Sequence, residues 1–469
     1  MFKPSGTFLR KETALSADHR PAKKPEIAAT QSHWFKHVIW ASVSIFLLYL
    51  IIEFLLPLVS NPPQYQEHSA GNLIASNPVL LVLPFENLSQ DLEKEYFADG
   101  ITEDIVTALS RVSNLRVLAI NSSYRFKNLD VSPKDLGREL NISHILHGSV
   151  RQSGERLRIS ARLISTQSEH LVWAERYDRR LIDVFSVQDD VTQNIVNALS
   201  VNLTDEDREH LGQIAANNFA AYDAFLRGQR LIKIREYEQN LEAQKAYREA
   251  IAQDPFYARS YGALAYAMII TIIEGWSETS TEDKARALEL ARKGVSLDKN
   301  SHQAFWSLSV THLFRKEFDE ALKVVDKALE IAPNYADGIG LQAFIHAYLG
   351  NGEEAARLMS EAMKLNPHYA WDYPYILGWA FYIQQEYERA IGYLEKALQQ
   401  NPNAIPARLI LAASYSAVNR LEDAEWQVQE ISWHNPRISL RLISEDYPIN
   451  DSRQLQELLN RLRSAGLSQ

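Results

Sequence analysis

The chain has 469 residues, a formal net charge of −10, and hydrophobic and charged contents of 46% and 23%. That length suffices for two or three domains with hydrophobic cores. The acidic balance argues against nucleic-acid binding, which depends on clustered lysine and arginine. The absence of cysteine excludes disulfides, thiolate metal sites and cysteine nucleophiles.

The first 36 residues are polar, contain three prolines and lack any apolar period, so we expect a disordered tail over 1–36. The next stretch, Val38 to Val59, has Glu53 as its one charged residue and would span about 33 Å as a helix, close to the thickness of a bilayer core. A signal peptide or a buried core helix gives a related pattern, but a signal peptide is usually shorter and ends at small residues. We therefore predict a transmembrane helix over 37–59.

The charges that flank this helix predict its orientation. Seven lysines and arginines precede it, and the first basic residue after it is Lys94. Because basic residues favour the cytoplasmic side of a membrane, the N-terminus should be cytoplasmic. We expect a single-pass protein of a bacterial inner membrane, with a linker over 60–77 and most of its residues in the periplasm.

The region 78–205 alternates short apolar runs with helical patterns, which predicts an α/β domain with a mixed sheet. The predicted strands are 79–83, 115–120, 142–154, 155–167 and 170–179, and the predicted helices are 95–112, 132–140 and 184–203. Within the second helix, Ser132 is the expected cap and Pro133 the expected first residue.

A proline recurs in the C-terminal half at Pro333, Pro367, Pro402 and Pro436, and subtraction of these positions gives spacings of 34, 35 and 34 residues. An alanine lies twelve residues before each proline: Ala321, Ala355, Ala390 and Ala424. Small residues let two helices of a hairpin approach closely, and the proline ends the second helix. The pattern resembles the tetratricopeptide repeat (TPR) family, which implies an all-α solenoid.

The TPR resemblance extends to about six repeats over 220–437, with two less regular units before the four that carry the regular prolines. We predict that residues 438–469 form a helix that caps the open end, and that each repeat contacts only its neighbours. The first helices of the repeats should line a concave groove. Seven aromatic residues are predicted on that surface: Trp306, Phe314, Phe344, Tyr348, Tyr375, Trp379 and Tyr382.

Two interpretations of these aromatic residues remain open. Large aromatic side chains are common anchors for peptide partners, but aromatic residues at helical spacing also pack between helices. A further candidate site is the helix start in the α/β domain, where Tyr96, Phe97, Asp99 and Gly100 could line a ligand cleft. We predict no catalytic residues, metal site or cofactor, because phosphate-binding, nucleophile-elbow and metalloprotease motifs are absent from the sequence.

The α/β region also resembles a known family. The strings LPFENLSQDLEKEYFADGITEDIVTALSRV, LRVLAINSSYRFK, LGRELNISHILHGSVRQSGERLRISARLI and LVWAERYDR are similar to the TolB amino-terminal-like domain. The resemblance implies a bacterial membrane protein in which this domain precedes TPR units. Relatives carry a class III adenylyl cyclase or a winged-helix domain before the membrane helix. About 36 residues precede the helix here, so we expect neither output domain.

Two functions follow as hypotheses. The first is a non-catalytic, membrane-anchored scaffold that binds a protein or peptide partner in the TPR groove. The second is a sensor or regulatory subunit, whose α/β domain binds a small ligand and signals to a separate cytoplasmic cyclase or transcription regulator. The sequence identifies neither the partner nor the ligand.

Overall fold

The computed structural model describes residues 77–127, 131–205, 207 and 218–469. The predicted tail, the predicted membrane helix (37–59) and the linker up to residue 76 lie outside the described residues. Within the described ranges, no helix combines the length and apolar character needed to cross a membrane. The described residues form a mixed α/β domain followed by an all-helical, TPR-like solenoid, and both belong to one packed unit.

A mixed sheet organises the α/β domain. Its strands are β1 (Val79–Val82), β2 (Glu86–Asn87), β3 (Arg116–Val117), β4 (His144–Ser153), β5 (Arg156–Ser165) and β6 (Leu171–Arg180). β1 pairs in parallel with β3 on one side and with β4 on the other. β4, β5 and β6 form two antiparallel hairpins, and β2 extends the parallel part alongside β4.

Helices cover the sheet on both faces. They are α1 (Glu95–Leu109), α2 (Ile120–Tyr124), α3 (Pro133–Leu140) and α4 (Val184–Ala198). Apolar residues of α1 and α4 share a core with one face of the sheet, and Leu136 and Leu140 of α3 pack on the other. α3 begins as predicted, because the Ser132 hydroxyl accepts a hydrogen bond from the Asp135 amide.

The predicted strand at 115–120 is much shorter in the structure. Only Arg116 and Val117 pair with β1, and α2 begins at Ile120. The Ala119 amide donates to the carbonyl of Leu365 in the solenoid, so the backbone leaves the sheet for a contact that lies far away in sequence. An apolar run cannot reveal such a change of partner, because its side chains are buried in either case.

Six antiparallel helix pairs form the solenoid. In chain order they are α5 (Phe219–Ile232) with α6 (Tyr237–Gln253), α7 (Ala258–Ile273) with α8 (Ser280–Leu297), α9 (His302–Phe314) with α10 (Phe318–Ile331), α11 (Ala336–Tyr348) with α12 (Gly352–Leu365), α13 (Asp372–Ile383) with α14 (Tyr387–Gln400), and α15 (Ile405–Ala417) with α16 (Leu421–His434). In each of the last four pairs, the second helix ends two residues before the repeating proline. The four repeating alanines are fully buried, which explains the need for a small side chain.

The C-terminal segment forms two helices rather than the single predicted cap, namely α17 (Leu440–Asp446) and α18 (Ser452–Ser464). The break between them follows from Pro448, which removes a backbone donor. This segment also reaches back along the solenoid. The Asp446 carboxylate accepts from Ser280 and pairs with Lys284, and just before the segment, at the end of α16, the Asn435 side-chain amide donates to the Glu274 carbonyl.

The α/β domain contacts several repeats at once. Its core is continuous with the first helix pair. The Asn334 side chain donates to the Leu115 carbonyl, and the Ser122 hydroxyl donates to Asn366. The expectation that each repeat contacts only its neighbours is therefore wrong, because both the α/β domain and the C-terminal segment bridge distant repeats.

Candidate functional site

A cavity of about 580 Å³ lies between the α/β domain and the first helices of the solenoid pairs. Glu103 and Thr107 of α1 contribute to its wall from the α/β domain, and Tyr447 contributes from the C-terminal segment. Small-molecule sites in proteins commonly have volumes of about 300–1,000 Å³. This space, called the junction cavity below, is therefore large enough for a small ligand or a few residues of a peptide.

Five of the seven predicted groove residues border the junction cavity: Trp306, Phe314, Phe344, Tyr348 and Tyr375. The rings of four of them, all except Trp306, form a connected series, with centroids 4.7 Å apart for Phe344 and Tyr348 and 5.9 Å apart for Phe344 and Tyr375. Trp306 and Phe344 remain partly exposed, whereas the other three are buried. Within the predicted groove, Trp306 and Phe344 thus offer the most surface to a bound molecule.

The other two predicted groove residues lie in the core. Trp379 is 2% exposed and Tyr382 6% exposed, and their rings stack with centroids 5.7 Å apart. Neither residue borders the junction cavity. The structure therefore brings five of the predicted residues to the wall of the junction cavity and places the other two in the core of the solenoid. Partner binding by this set stays a prediction.

The four residues of the predicted ligand cleft lie where α1 packs on the first solenoid helix, outside the wall of the junction cavity. The Tyr96 hydroxyl donates to Asp223 (2.6 Å), Phe97 packs edge-on against Phe219 and Tyr222, Asp99 accepts from Lys127 (2.6 Å), and Gly100 faces Leu226. The contacts of Tyr96, Phe97 and Gly100 join the two domains, whereas that of Asp99 lies within the α/β domain, and ligand binding by the four stays a prediction. The cavity begins on the same helix one turn later, at Glu103.

Asp104, on the buried side of α1, fixes the α/β domain against the solenoid. Its carboxylate is 2% exposed and accepts hydrogen bonds from Tyr222 (2.6 Å), Gln188 (3.0 Å) and Arg259 (2.6 Å). A buried charge with such partners is costly to disrupt, because removal of one partner leaves the other uncompensated. The position of the cavity wall therefore depends on this cluster.

Three basic side chains border the junction cavity, and each has an acidic partner. Lys233 pairs with Glu103, Arg235 with Glu274 at 3.5 Å, and Arg259 with Asp104 at 2.6 Å. Arg235 also lies over the rings of Tyr266 and Trp371, 6.0 and 5.7 Å from their centroids. Burial raises the pKa of Glu274 to about 7, against the opposing effect of Arg235.

Two more carboxylates border the cavity, and no described basic nitrogen lies within 4.0 Å of either: Asp337 and Asp372. The Tyr373 hydroxyl donates to the Asp337 carboxylate at 2.7 Å, and the Trp306 indole N–H donates to the Asp337 backbone carbonyl at 3.0 Å. Oδ1 of Asp372 is buried and has no hydrogen-bond partner. Burial raises the pKa of Asp337, and burial together with the neighbouring Asp337 raises that of Asp372 to about 6.

Sequence reasoning missed the acidic residues of this wall. Asp337 and Asp372 lie 35 positions apart, at the second residue of α11 and the first of α13, so they occupy nearly equivalent places in successive repeats. Aligning the starts of the repeats could have identified that pair. Arg235 had no comparable signal, because it lies in a turn and reaches the cavity through tertiary packing. The described residues contain no cluster of three or more metal-ligating side chains.

Two regions of the chain match models of known protein families. Residues 76–197 match the family model described as the second domain of HilA/YgeH-like transcriptional regulators. Residues 342–405 and 381–437 match tetratricopeptide-repeat models.

A curated protein of Rhizobium meliloti (strain 1021), named "Putative adenylate cyclase 3", is 38% identical over 251 residues. The match covers 53% of this chain and 42% of that protein, so the chain spans less than half the length of this relative.

Solved structures of helical repeat proteins are also similar. A thermophilic TPR protein of Thermus thermophilus has a TM-score of 0.35 and 18% identity, over 42% of this chain and 98% of that one. The pilF protein of Pseudomonas aeruginosa has a TM-score of 0.33 and 15% identity, over 46% of this chain and 92% of that one. Likenesses this distant say nothing about what the chain does. The matched repeat models do show that its C-terminal half contains tetratricopeptide repeats.

Proposed function

We propose that the chain is a non-catalytic scaffold, anchored in a bacterial inner membrane by residues 37–59, whose repeats bind a protein partner. TPR repeats commonly serve protein–protein interaction, and the chain contains them. The resemblance of 78–205 to the TolB amino-terminal-like domain supports a place in the envelope, with the domain and the repeats in the periplasm.

The observation that carries the partner-binding role is the partly exposed aromatic surface of Trp306 and Phe344 in the solenoid wall. Desolvated aromatic side chains are frequent anchors of interfaces. α1 and the C-terminal segment occupy space beside this surface, so the proposed partner inserts a short segment rather than lying along the whole groove.

The test is capture of a partner by the full chain, solubilised from membranes in a maltoside detergent. Phe344→Ala should remove the partner that the unaltered chain captures. Trp433→Ala is the matched control, since Trp433 is 82% exposed on α16, away from the cavity. Trp306→Phe is a second variant, which keeps a ring but loses the indole N–H, in case Phe344→Ala unfolds the protein.

Loss of capture with Phe344→Ala or Trp306→Phe, at an unchanged melting temperature, would support the proposed surface. Loss with Trp433→Ala alone would place the partner on the outer surface of the last repeat instead. The membrane part has its own test, because a reporter active only in the periplasm should be active when fused after Gln469. Activity of a cytoplasm-only reporter at that position would overturn the proposed orientation.

A second candidate is a sensor or regulatory subunit that signals to a separate cyclase or transcription regulator. The junction cavity favours it, because a cavity shared by two domains lets a ligand alter their packing. The similarity to a relative named as a cyclase and to a regulator domain supports this candidate as well. Co-purification of a cyclase or regulator with the full chain would distinguish it from the scaffold.

A further inference from the structure

The charges around the junction cavity do not balance. The three basic side chains of the wall each have an acidic partner, namely Glu103, Glu274 or Asp104. No described basic nitrogen lies within 4.0 Å of the Asp337 or Asp372 carboxylate, and Arg235, whose charge acts on Asp372, already pairs with Glu274. His302, which also borders the cavity, is 1% exposed, and burial together with Arg111 and Arg259 lowers its pKa far enough to keep it neutral.

The two carboxylates are surrounded by protein, yet each keeps part of its surface accessible because it borders the cavity. Oδ1 of Asp372 is buried and has no hydrogen-bond partner, although most buried polar atoms in proteins have one. Two carboxylates in a poorly solvated space repel one another unless they are protonated or a cation lies between them. The buried Oδ1 does not itself face the cavity, but with these two carboxylates the wall and the acidic partners of its basic side chains together hold more acidic than basic groups.

The surrounding rings suit a cation as well. Trp306 contacts Asp337 through its indole N–H, and Trp371 directly precedes Asp372. Both tryptophans border the cavity. The faces of tryptophan and tyrosine attract cations, most strongly where water is excluded. The wall already holds one cation in this way, because the Arg235 guanidinium lies over Trp371 and Tyr266.

We propose that the junction cavity binds a small organic cation, an amine or quaternary ammonium compound, with its charged group beside Asp337 and Asp372 and against Trp306. The carboxylates provide the opposite charge, and the rings cover the alkyl groups. A metal ion is a poorer occupant, since it would need several oxygen ligands in place of aromatic faces. This ligand site does not depend on the protein-partner function proposed above.

The experiment uses the full chain in maltoside detergent at pH 8, with choline and phenethylamine as cationic probes. 3,3-Dimethylbutan-1-ol, the uncharged carbon analogue of choline, is the control ligand. Calorimetry gives the affinity, and a change in the intrinsic tryptophan fluorescence of the chain gives a second signal. We expect one of the cations to bind and to raise the melting temperature, because a ligand that binds only the folded state stabilises it.

The charge requirement is tested with the double variant Asp337→Asn and Asp372→Asn. An asparagine oxygen can still accept the Tyr373 hydroxyl, and the loss of two buried charges should not unfold the protein. We expect binding of the cation to weaken at least about tenfold in this variant, and binding of the neutral alcohol to the unaltered chain to be weaker by a similar factor. Asp319→Asn, at an exposed position of α10, should bind like the unaltered chain.

Three results would each overturn the proposal. The first is equal binding of choline and its uncharged analogue, which would indicate a merely apolar site. The second is unchanged affinity in the double variant, which would place the cation elsewhere. The third is no binding of either cation at about 10 mM, where a site with a dissociation constant of about 1 mM would be mostly occupied.

Discussion

The carboxylate of Asp372 gives a pH dependence at the scale of one residue. Burial and the neighbouring Asp337 raise its pKa from 3.8 to about 6, while Arg235 and the backbone amides of Asp372 and Tyr373 oppose the rise. The folded state therefore binds more protons than the unfolded state between about pH 4 and 6. The free energy of unfolding consequently falls as the pH rises through that interval, and it stays lower above it.

Asp372→Asn should remove this pH-dependent fall in the free energy of unfolding. We expect the variant to be more stable than the unaltered chain at pH 8 and equally stable near pH 4. The rise of the pKa limits the gain to about 3 kcal/mol, since one pKa unit corresponds to about 1.4 kcal/mol. Melting temperatures of the two proteins from pH 4 to pH 8 measure the difference. Lower stability of the variant at pH 8 would mean that the ionised carboxylate has a stabilising partner.

Trp379 shows what a single sequence leaves undecided at this scale. Its spacing is compatible with the groove, but the structure buries it between Tyr348 and Tyr382. A helical period identifies a face of a helix. It cannot distinguish a face covered by the next repeat from one that borders a cavity, since both are apolar. Trp306 has the same kind of signal and remains partly exposed.

The expected effect of Trp379→Ala follows from its burial. The substitution leaves a large gap in an aromatic cluster, so it should cost about 3–5 kcal/mol of stability. Urea unfolding of the full chain measures this loss. Trp433→Ala is the control, because an 82% exposed side chain should change stability by no more than about 0.5 kcal/mol. A Trp379→Ala protein as stable as the unaltered chain would instead indicate that Trp379 lies on the groove surface, where it could bind a partner.

At the scale of the helix pair, the turn between the two helices recurs in all six repeats. Each turn contains one residue with positive φ: Arg235, Gly275, Lys316, Gly350, Gln385 and Asn419. The prolines that end the second helices were readily predicted because one residue type repeats. These turns were not predicted, because only two of the six positions are glycine.

Two substitutions in these turns should have opposite effects. At Gly350, φ is +87° and a Cβ atom would lie 2.8 Å from the Gln454 side chain, so Gly350→Ala should destabilise the protein. At Gln385, φ is +61°, a conformation that costs a non-glycine residue about 1 kcal/mol, so Gln385→Gly should stabilise the turn. Melting temperatures of the two variants provide the comparison. A stabilising Gly350→Ala would show that the turn can relax.

At the scale of the whole molecule, the order of the α/β domain and the solenoid could be predicted from the sequence, but the packing that encloses the cavity could not. Strand, helix and repeat patterns are local, so the α/β domain and the solenoid were both predictable from spacing. The cavity depends on contacts between residues that are far apart in sequence, such as Ser122 with Asn366 and Asn435 with Glu274. These residues follow no period that marks them as partners.

Closure of the solenoid by its C-terminal segment leads to the last prediction. In a solenoid coupled only through neighbouring repeats, removal of the end affects the last repeat. Here Asp446 of the C-terminal segment contacts Ser280 and Lys284, across about 160 residues of chain. Deletion of residues 438–469 should therefore speed amide hydrogen exchange in the 274–284 segment, because local stability depends on such packing.

The strands β5 and β6 are the internal control for this measurement, since they pair with each other and with β4 in the α/β domain, and their exchange should not change. Asp446→Ala separates closure from the loss of a whole segment, because it removes the contacts to Ser280 and Lys284 and leaves α18 in place. We expect faster exchange in 274–284 for this variant as well, by a smaller factor. Faster exchange limited to 421–437 in both proteins would show that the distant contacts add no stability. The local stability of the cavity wall would then be independent of the C-terminal segment.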